Sequence, residues 1–184
     1  MSQHEGAEEQ MTAYTQLDTF LGTYEETTSQ HHEDRVGAMW SAILAASFPP
    51  ADGYLHAPQY ENSGGFTDIT TMHWQRDQTN ALHKRILLVT QTKKYQSSIT
   101  ARRWAAGEGQ LGRYLTGYHQ DAQAAGDVSP MLYGIIAIGR WVKLYQHDGQ
   151  TNELVYMFGE EGPYHVKNDA DIIISRLRHM NGHH

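Results

Sequence analysis

The sequence predicts an α/β fold in which α-helices flank a mixed β-sheet. Apolar residues recur at steps of three and four in several segments, which is the period of a helix with one buried face. Other segments are short runs of β-branched and aromatic residues bounded by turn-forming residues, as strands are. The segments follow the order α, α, β, β, α, β, β, β, α, which is typical of helices packed around a mixed sheet. At 184 residues and without cysteine, the chain can bury a sizeable core without disulfides or metals.

Two amphipathic helices are predicted first. One covers residues 8–26, whose apolar stripe consists of Met11, Tyr14, Leu17, Leu21 and Tyr24. The second covers residues 30–47, and Phe48-Pro49-Pro50 ends it because proline cannot continue a helix. Its buried face is predicted to contain Val36, Trp40 and Ile43. Residues 51–66 include Pro58 and Ser63-Gly64-Gly65, so we expect a loop there.

The remaining elements are mostly strands. Two strands that can pair as neighbours are predicted at residues 66–74 and 85–92. A helix follows at 98–118, although Gly107 and Gly109 each weaken it by about 1 kcal/mol relative to alanine. Three further strands are expected at 132–138, 141–146 and 153–158, and the turn between the last two is of the hairpin type. Asp169 and Asp171 precede a closing amphipathic helix.

The negative charge of the chain is concentrated at its N-terminus. The net charge is −7, but residues 1–34 contain eight acidic residues and no lysine or arginine. Residues 76–113 form a basic band, in which eight lysines and arginines outnumber two acidic residues. This band favours a polyanionic partner, and it equally fits a solvated face. We predict an N-terminal acidic helix at 1–28, distinct from a domain at 29–184. One hypothesis is that the acidic helix contacts the band as a DNA mimic or a partner surface.

Several classes of protein have no signal in this sequence. No segment is apolar enough to span a membrane, and the N-terminus lacks the order of a secretory signal, so we expect no membrane partner and an intracellular location, cytoplasmic or nuclear. The twelve histidines lack zinc-site spacing. Neither a phosphate-binding loop nor Gly-x-Ser-x-Gly is present.

Polar side chains mark the end of the second predicted strand, RILLVTQTKK. Gln91 and Lys93 are two residues apart, so both are expected to project from one face. Asp68 lies on the preceding predicted strand, and pairing of the two strands would bring a carboxylate, an amide oxygen and an ammonium together. Oxygen ligands bind hard divalent cations. An ammonium can stabilise the negative charge of a phosphate and orient an attacking water. The sequence therefore predicts a site for phosphodiester hydrolysis, with the basic band binding the polyanion.

GFTDITTMHW and KRILLVTQTKK together resemble the Asp…(Glu/Gln)-x-Lys signature of the PD-(D/E)XK nuclease superfamily, which has the restriction-endonuclease-like fold. Most members carry Glu where this chain has Gln91, and some branches carry Gln. GEGQLGRYL contains Gln110-x-x-x-Tyr114, which is similar to the helix motif of RecB-type members, and this spacing places both side chains and Arg103 on one face. LYGIIAIGRWVKLYQHDG resembles the closing strands of uncharacterised fungal proteins of this group. The likeness covers about residues 30–158.

This resemblance implies a Mg²⁺- or Mn²⁺-dependent nuclease that acts on DNA or RNA, with a mixed β-sheet flanked by α-helices. Asp68 would bind the cation with help from Gln91 and from Glu33, the candidate for the acid that the superfamily places on its first core helix. Lys93 would orient the water. Gln110 and Tyr114 would complete the catalytic site. The expected nucleic-acid-binding residues lie in the basic band: Lys94, Arg102, Arg103 and Arg113. Many members form dimers, so a homodimer is also compatible with the resemblance.

Two alternatives stay open at this point. The replacement of Glu by Gln91 favours a catalytically inactive module of the same fold that binds nucleic acid or a protein partner. Glu33 also fits a role at a helix start, where acids interact with the helix dipole, and Gln110 and Tyr114 also fit ordinary surface and core positions.

Overall fold

The computed structural model describes residues 13–27, 33–95, 98–126 and 131–182. Its helices and strands, in chain order, are α1 (Asp18–Glu26), α2 (Glu33–Ser47), β1 (Tyr54–Pro58), β2 (Glu61–Asn62), β3 (Gly65–Phe66), β4 (Ile69–Arg76), β5 (Leu82–Lys93), α3 (Ala101–Ala124), β6 (Leu132–Ile138), β7 (Trp141–Asp148), β8 (Glu153–Tyr156), β9 (Tyr164–His165) and α4 (Ala170–Gly182).

A seven-stranded mixed sheet forms the centre of the fold. Its strand order is β1-β4-β5-β6-β7-β8, and β9 pairs with β7. Strands β5 and β6 are parallel, and α3 makes the crossover between them. The other pairings in the sheet are antiparallel. The predicted α/β class, a mixed sheet flanked by helices, is confirmed.

Each face of the sheet is covered by its own layer. Helices α1, α2 and α4 pack on one face, where Phe20, Trp40 and Ile173 belong to one buried cluster with Leu88 and Ile135 of the sheet. Helix α3 covers the other face, together with the small hairpin β2–β3. The apolar face predicted for the second helix is confirmed, since Val36, Trp40 and Ile43 are all buried. The predicted division of the chain at residue 28 stays a prediction.

The predicted loop at residues 51–66 is wrong. Strand β1 lies there and pairs with β4 at the edge of the sheet, followed by the hairpin β2–β3. Pro58 is tolerated because it ends an edge strand, where one backbone donor is dispensable. Asp68 also departs from its predicted place: it lies in a bend directly before β4, because its carboxylate, rather than its backbone, bonds to β5.

Other boundaries shift by a few residues. Helix α3 extends to Ala124 despite its glycines. A Cβ on Gly107 would lie 3.0 Å from Ile136 Cγ2, so this glycine allows the helix to approach the sheet. Helix α1 begins at Asp18 after a short 3₁₀ turn, and residues 8–12 and 30–32 of the predicted helices lie outside the described residues. Strand β9 was not expected from the sequence.

None of the described helices is both long and apolar enough to cross a membrane.

Candidate active site

The end of β5 and the bend before β4 meet at one end of the sheet. Strands β4 and β5 are antiparallel neighbours, and Ile69 lies opposite Thr90. Asp68 therefore lies beside the last residues of β5. Its Oδ2 accepts hydrogen bonds from the backbone N–H of Thr92 at 2.7 Å and from the Thr92 hydroxyl at 3.4 Å. The carboxylate is thus fixed against the strand end where Gln91 and Lys93 were predicted to converge.

Lys93 places its ammonium between two carboxylates. The Lys93 Nζ lies 3.5 Å from Glu33 Oε1 and 4.0 Å from Asp68 Oδ2. The three side chains come from three different elements: the first residue of α2, the bend before β4 and the last residue of β5. About a quarter of the Lys93 side chain is exposed, against nearly half of the Glu33 side chain. The cluster is therefore open to solvent and to a ligand.

Gln91 lies apart from this cluster. It is fully buried, and neither its amide nitrogen nor its amide oxygen has a hydrogen-bond partner among the described residues. Its neighbour Val89 belongs to the layer under α3, and alternation along a strand places Gln91 on the same face. An amide buried without a partner costs about 1–3 kcal/mol. The structure brings Asp68, Lys93 and Glu33 together, and it leaves the predicted contact of Gln91 with them unmade.

The helix residues of the resemblance form a pair. The Gln110 amide donates a hydrogen bond of 2.7 Å to the Tyr114 hydroxyl, which confirms that the two side chains share a face of α3. Tyr114 is buried in the layer between α3 and the sheet. Among the described residues, neither side chain is hydrogen-bonded or ion-paired to Asp68 or Lys93. Their catalytic role stays a prediction.

The predicted nucleic-acid-binding residues lie at two places. Arg103 Nη2 donates to the backbone oxygen of Lys94 at 3.2 Å, which ties the first turn of α3 to the chain directly after β5. Arg102 is exposed on the same turn. Arg113 is exposed and bonds to its own helix, about 16 Å further along α3 by the rise of a helix. Lys94 and Arg103 therefore lie at the end of β5 that carries Lys93, Arg102 lies on the same first turn of α3, and Arg113 lies further along this helix.

The described part of the predicted acidic helix makes two contacts with arginines. In the described part of α1, Glu26 pairs with Arg35 at 2.8 Å, and the Arg140 guanidinium lies over the Tyr24 ring. Neither arginine belongs to the basic band. These two contacts of the described residues therefore do not support the hypothesis.

A groove of about 400 Å³ opens beside the cluster. Glu33 and Asp68 form part of its walls, and α2 also contributes Asp34 and Ser41. Gln59, directly after β1, also lines the groove. Neither Ser41 nor Gln59 could be predicted from the sequence, because neither residue belongs to a recognisable motif and Gln59 lies in a segment predicted as a loop.

The site offers oxygen ligands for a hard cation. The described residues contain no group of three or more histidines, cysteines and acids positioned to bind a metal. Mg²⁺, however, is often bound through only one or two carboxylates and retains several waters. Glu33 and Asp68 provide such carboxylates around Lys93, whereas the unpartnered amide of Gln91 lies apart from them, under α3. These residues fit a weakly charged cation site.

Two further polar clusters lie under α3. Lys143 is buried, and its Nζ lies 2.7 Å from Glu161 Oε1 and 4.0 Å from Glu108 Oε1. Burial lowers the pKa of Lys143, but the hydrogen bond to Glu161 and nearby charges outweigh it and leave the pKa raised. Across the sheet, Ile136 separates Lys143 from Gln91. Each charge in this cluster has a partner, which indicates a structural role.

The second cluster is a pair of histidines. His119 of α3 and His147 of β7 are buried, and their rings stack with centroids 5.0 Å apart. One ring nitrogen of each, His119 Nε2 and His147 Nδ1, has no hydrogen-bond partner among the described residues. Burial lowers the pKa of both imidazoles, and proximity to His119 contributes to a pKa of about 4 for His147. Both rings are therefore neutral near pH 7.

Comparison with protein-family models, with curated proteins and with solved structures found no match for this chain.

Proposed function

We propose that this protein is a Mg²⁺- or Mn²⁺-dependent nuclease of the PD-(D/E)XK type, which hydrolyses phosphodiester bonds of DNA or RNA. One observation carries the proposal: the Lys93 ammonium lies 3.5 Å from Glu33 and 4.0 Å from Asp68, beside an open groove. The resemblance of the surrounding sequence supports it. An intracellular location, cytoplasmic or nuclear, and a nucleic-acid partner belong to the same proposal.

Each residue of the cluster has a distinct task in this proposal. Asp68 and Glu33 would bind the divalent cation, which supplies charge neutralisation at the phosphate and a more acidic bound water. Thr92 fixes the orientation of Asp68 through its backbone N–H. Lys93 orients the attacking water and stabilises the negative charge that develops on the phosphate, because its ammonium is already positioned by two carboxylates. A role for Gln91 as a further ligand stays a prediction, because its unpartnered amide is buried under α3, apart from the cluster.

The basic residues next to the cluster would bind the substrate backbone. Lys94, Arg102 and Arg103 lie at the end of β5 and on the first turn of α3. A phosphate chain that passes Lys93 reaches these cations next, and each contact releases counterions. Arg113 extends the positive surface along α3, at about 16 Å from Arg102.

Cleavage assays with matched variants test this function. Purified protein is incubated with single- and double-stranded DNA and RNA in Mg²⁺ and in Mn²⁺. We expect Asp68→Asn and Lys93→Met each to lower the rate by roughly a hundredfold or more, because each removes a charge at the reacting phosphate. Glu153→Gln, an exposed acid of β8, serves as the control and should cleave at the original rate. Cleavage that survives both cluster substitutions would show that this cluster is not the active site.

A second function is favoured by one residue. Gln91 stands where most superfamily members carry a carboxylate, so the cation site has a lower negative charge. A catalytically inactive module with the same fold would bind nucleic acid or a protein partner and cleave nothing. In that case nucleic acid binds in the assays above without cleavage, and Asp68→Asn leaves the affinity unchanged. Self-association as a homodimer stays a prediction that sedimentation analysis can test.

A further inference from the structure

Gln59 has an unusual backbone conformation at the groove. Its φ is +49°, a left-handed conformation that residues with a Cβ rarely adopt unless they are Asn or Asp. The turn is held by the backbone N–H of Gln59, which donates to the Asp68 backbone oxygen at 3.2 Å. Residues in such conformations persist where the surroundings determine them, and they cluster at functional sites. Gln59 is linked by this hydrogen bond to the very residue that binds the cation in the proposed function.

The side chain of Gln59 is available for a ligand. It is exposed on the wall of the groove, and its amide makes no hydrogen bond to any described residue. An amide both donates and accepts hydrogen bonds, which is what recognition of a base edge requires. Ser41, on the α2 wall of the same groove, adds a hydroxyl.

The charges of the groove determine which part of a substrate can enter it. Glu33, Asp34 and Asp68 all line the groove, so a phosphate is repelled from its interior. Lys93 lies beside Glu33 and Asp68 but is not among the residues that line the groove, and Lys94 follows it in the chain. With a divalent cation at Glu33 and Asp68, as in the proposed function, a nucleotide would place its phosphate at that cation and Lys93, and its uncharged base and sugar in the groove.

The volume of the groove suits a ligand the size of a single nucleoside. A volume of about 400 Å³ is at the lower end of pockets for small organic ligands, and a base in a stacked duplex cannot reach a pocket without leaving the stack. We propose, on the basis of the proposed function, that the groove binds one unpaired nucleoside next to the scissile phosphate and that the Gln59 amide positions it. The substrate class is then single-stranded nucleic acid or an unpaired end.

Binding measurements with two probes test this inference. The probes are a fluorescein-labelled single-stranded oligonucleotide and a blunt duplex of the same sequence, titrated by anisotropy in Ca²⁺, which shares the oxygen preference of Mg²⁺. We expect the single strand to bind more tightly. Gln59→Gly suits the positive φ and removes the amide, so the unfolding midpoint should stay the same or rise. The affinity for the single strand should fall by about threefold to tenfold, and that for the duplex should not change.

Asn80→Gly is the matched control, because Asn80 also has a positive φ, of +66°, in an exposed turn outside the groove. Cleavage that depends on Asp68 but is equally fast on the duplex, or a Gln59→Gly variant that behaves like Asn80→Gly, overturns the inference and leaves the nuclease function intact. If the protein prefers the single strand, if this preference depends on Gln59 and if nothing is cleaved, the groove binds as inferred and the nuclease function is wrong.

Discussion

The unpartnered amide of Gln91 predicts a trade-off between stability and function. Both polar atoms of this side chain are buried without a hydrogen-bond partner in the described structure. Methionine has a similar length and volume, and it has no polar group that needs a partner. We therefore expect Gln91→Met to raise the free energy of unfolding by about 1–3 kcal/mol. In a chain of this size that corresponds to an increase in Tm of roughly 2–4 °C per kcal/mol.

The same substitution at Gln110 is the control. The Gln110 amide donates to the Tyr114 hydroxyl at 2.7 Å, so Gln110→Met removes a hydrogen bond that is made. We expect it to lower the free energy of unfolding by about 0.5–1.5 kcal/mol. Urea denaturation followed by circular dichroism measures both changes with a common slope. The opposite signs of the two effects test whether the unpartnered amide, rather than the glutamine side chain in general, causes the change.

A role of Gln91 as a cation ligand can be tested with the same variant. A cation that binds the folded protein raises its stability by mass action. If the Gln91 oxygen is a ligand, the increase in Tm caused by Mn²⁺ should be smaller in Gln91→Met than in the original protein. A Gln91→Met variant that is less stable than the original would refute the reasoning, because the amide would then have a partner in the folded protein. An unchanged Mn²⁺ effect would remove Gln91 from the cation site.

Three other predictions concern pH, packing and charge. His147 has a pKa of about 4 in the folded state, lowered from 6.5, so the unfolded chain binds more protons between these values and stability falls as pH decreases through that window. Urea titrations should show a loss of about 3 kcal/mol, with His119 acting in the same direction, and His147→Phe should remove most of it. A Cβ on Gly64 would lie only 2.3 Å from a backbone oxygen of α3, so Gly64→Ala should lower the free energy of unfolding by about 1–3 kcal/mol. A Cβ on Gly22 in α1 would have no atom within 4 Å. Gly22→Ala should therefore raise the free energy of unfolding, measured in urea, by up to about 1 kcal/mol. If nucleic acid binds the basic residues next to the cluster, Arg102→Gln should reduce the slope of log K against log salt by about 1 in anisotropy titrations.

Local sequence patterns predicted helix α2 and most strands of the sheet, because the buried residues of α2 and of strands β4 to β7 follow regular periods. The period of two predicted that Gln91 and Lys93 project from the same side of β5, but their side chains have different surroundings. Lys93 is the last residue of the strand, and its long, flexible stem reaches Glu33 and Asp68. Gln91 lies within the sheet and is confined under α3. The difference depends on side-chain length and on the strand end, which periodicity does not contain.

The groove could not be predicted from the sequence, for a different reason. Gln59 contributes through a positive φ and through a backbone hydrogen bond to Asp68, and neither property is encoded in its residue type. Strand β1 is five residues long and ends in Pro58, so turn-forming residues dominated the local pattern. Its partner β4 is what makes it a strand, and this pairing is a tertiary contact.

The charges of the site separate the two candidate functions. At a distance of 4 Å and an effective dielectric constant of about 20, two unit charges interact by about 4 kcal/mol. A phosphate that approaches the cluster experiences one attraction, to Lys93, and two repulsions, from Glu33 and Asp68. Binding at this position is therefore unfavourable until a divalent cation reverses the balance. The basic residues on α3 have no such requirement. Nucleic-acid binding that depends on Mg²⁺ or Mn²⁺ thus indicates occupation of the cluster and supports the nuclease, whereas binding that depends only on salt indicates the basic residues alone and supports the inactive module.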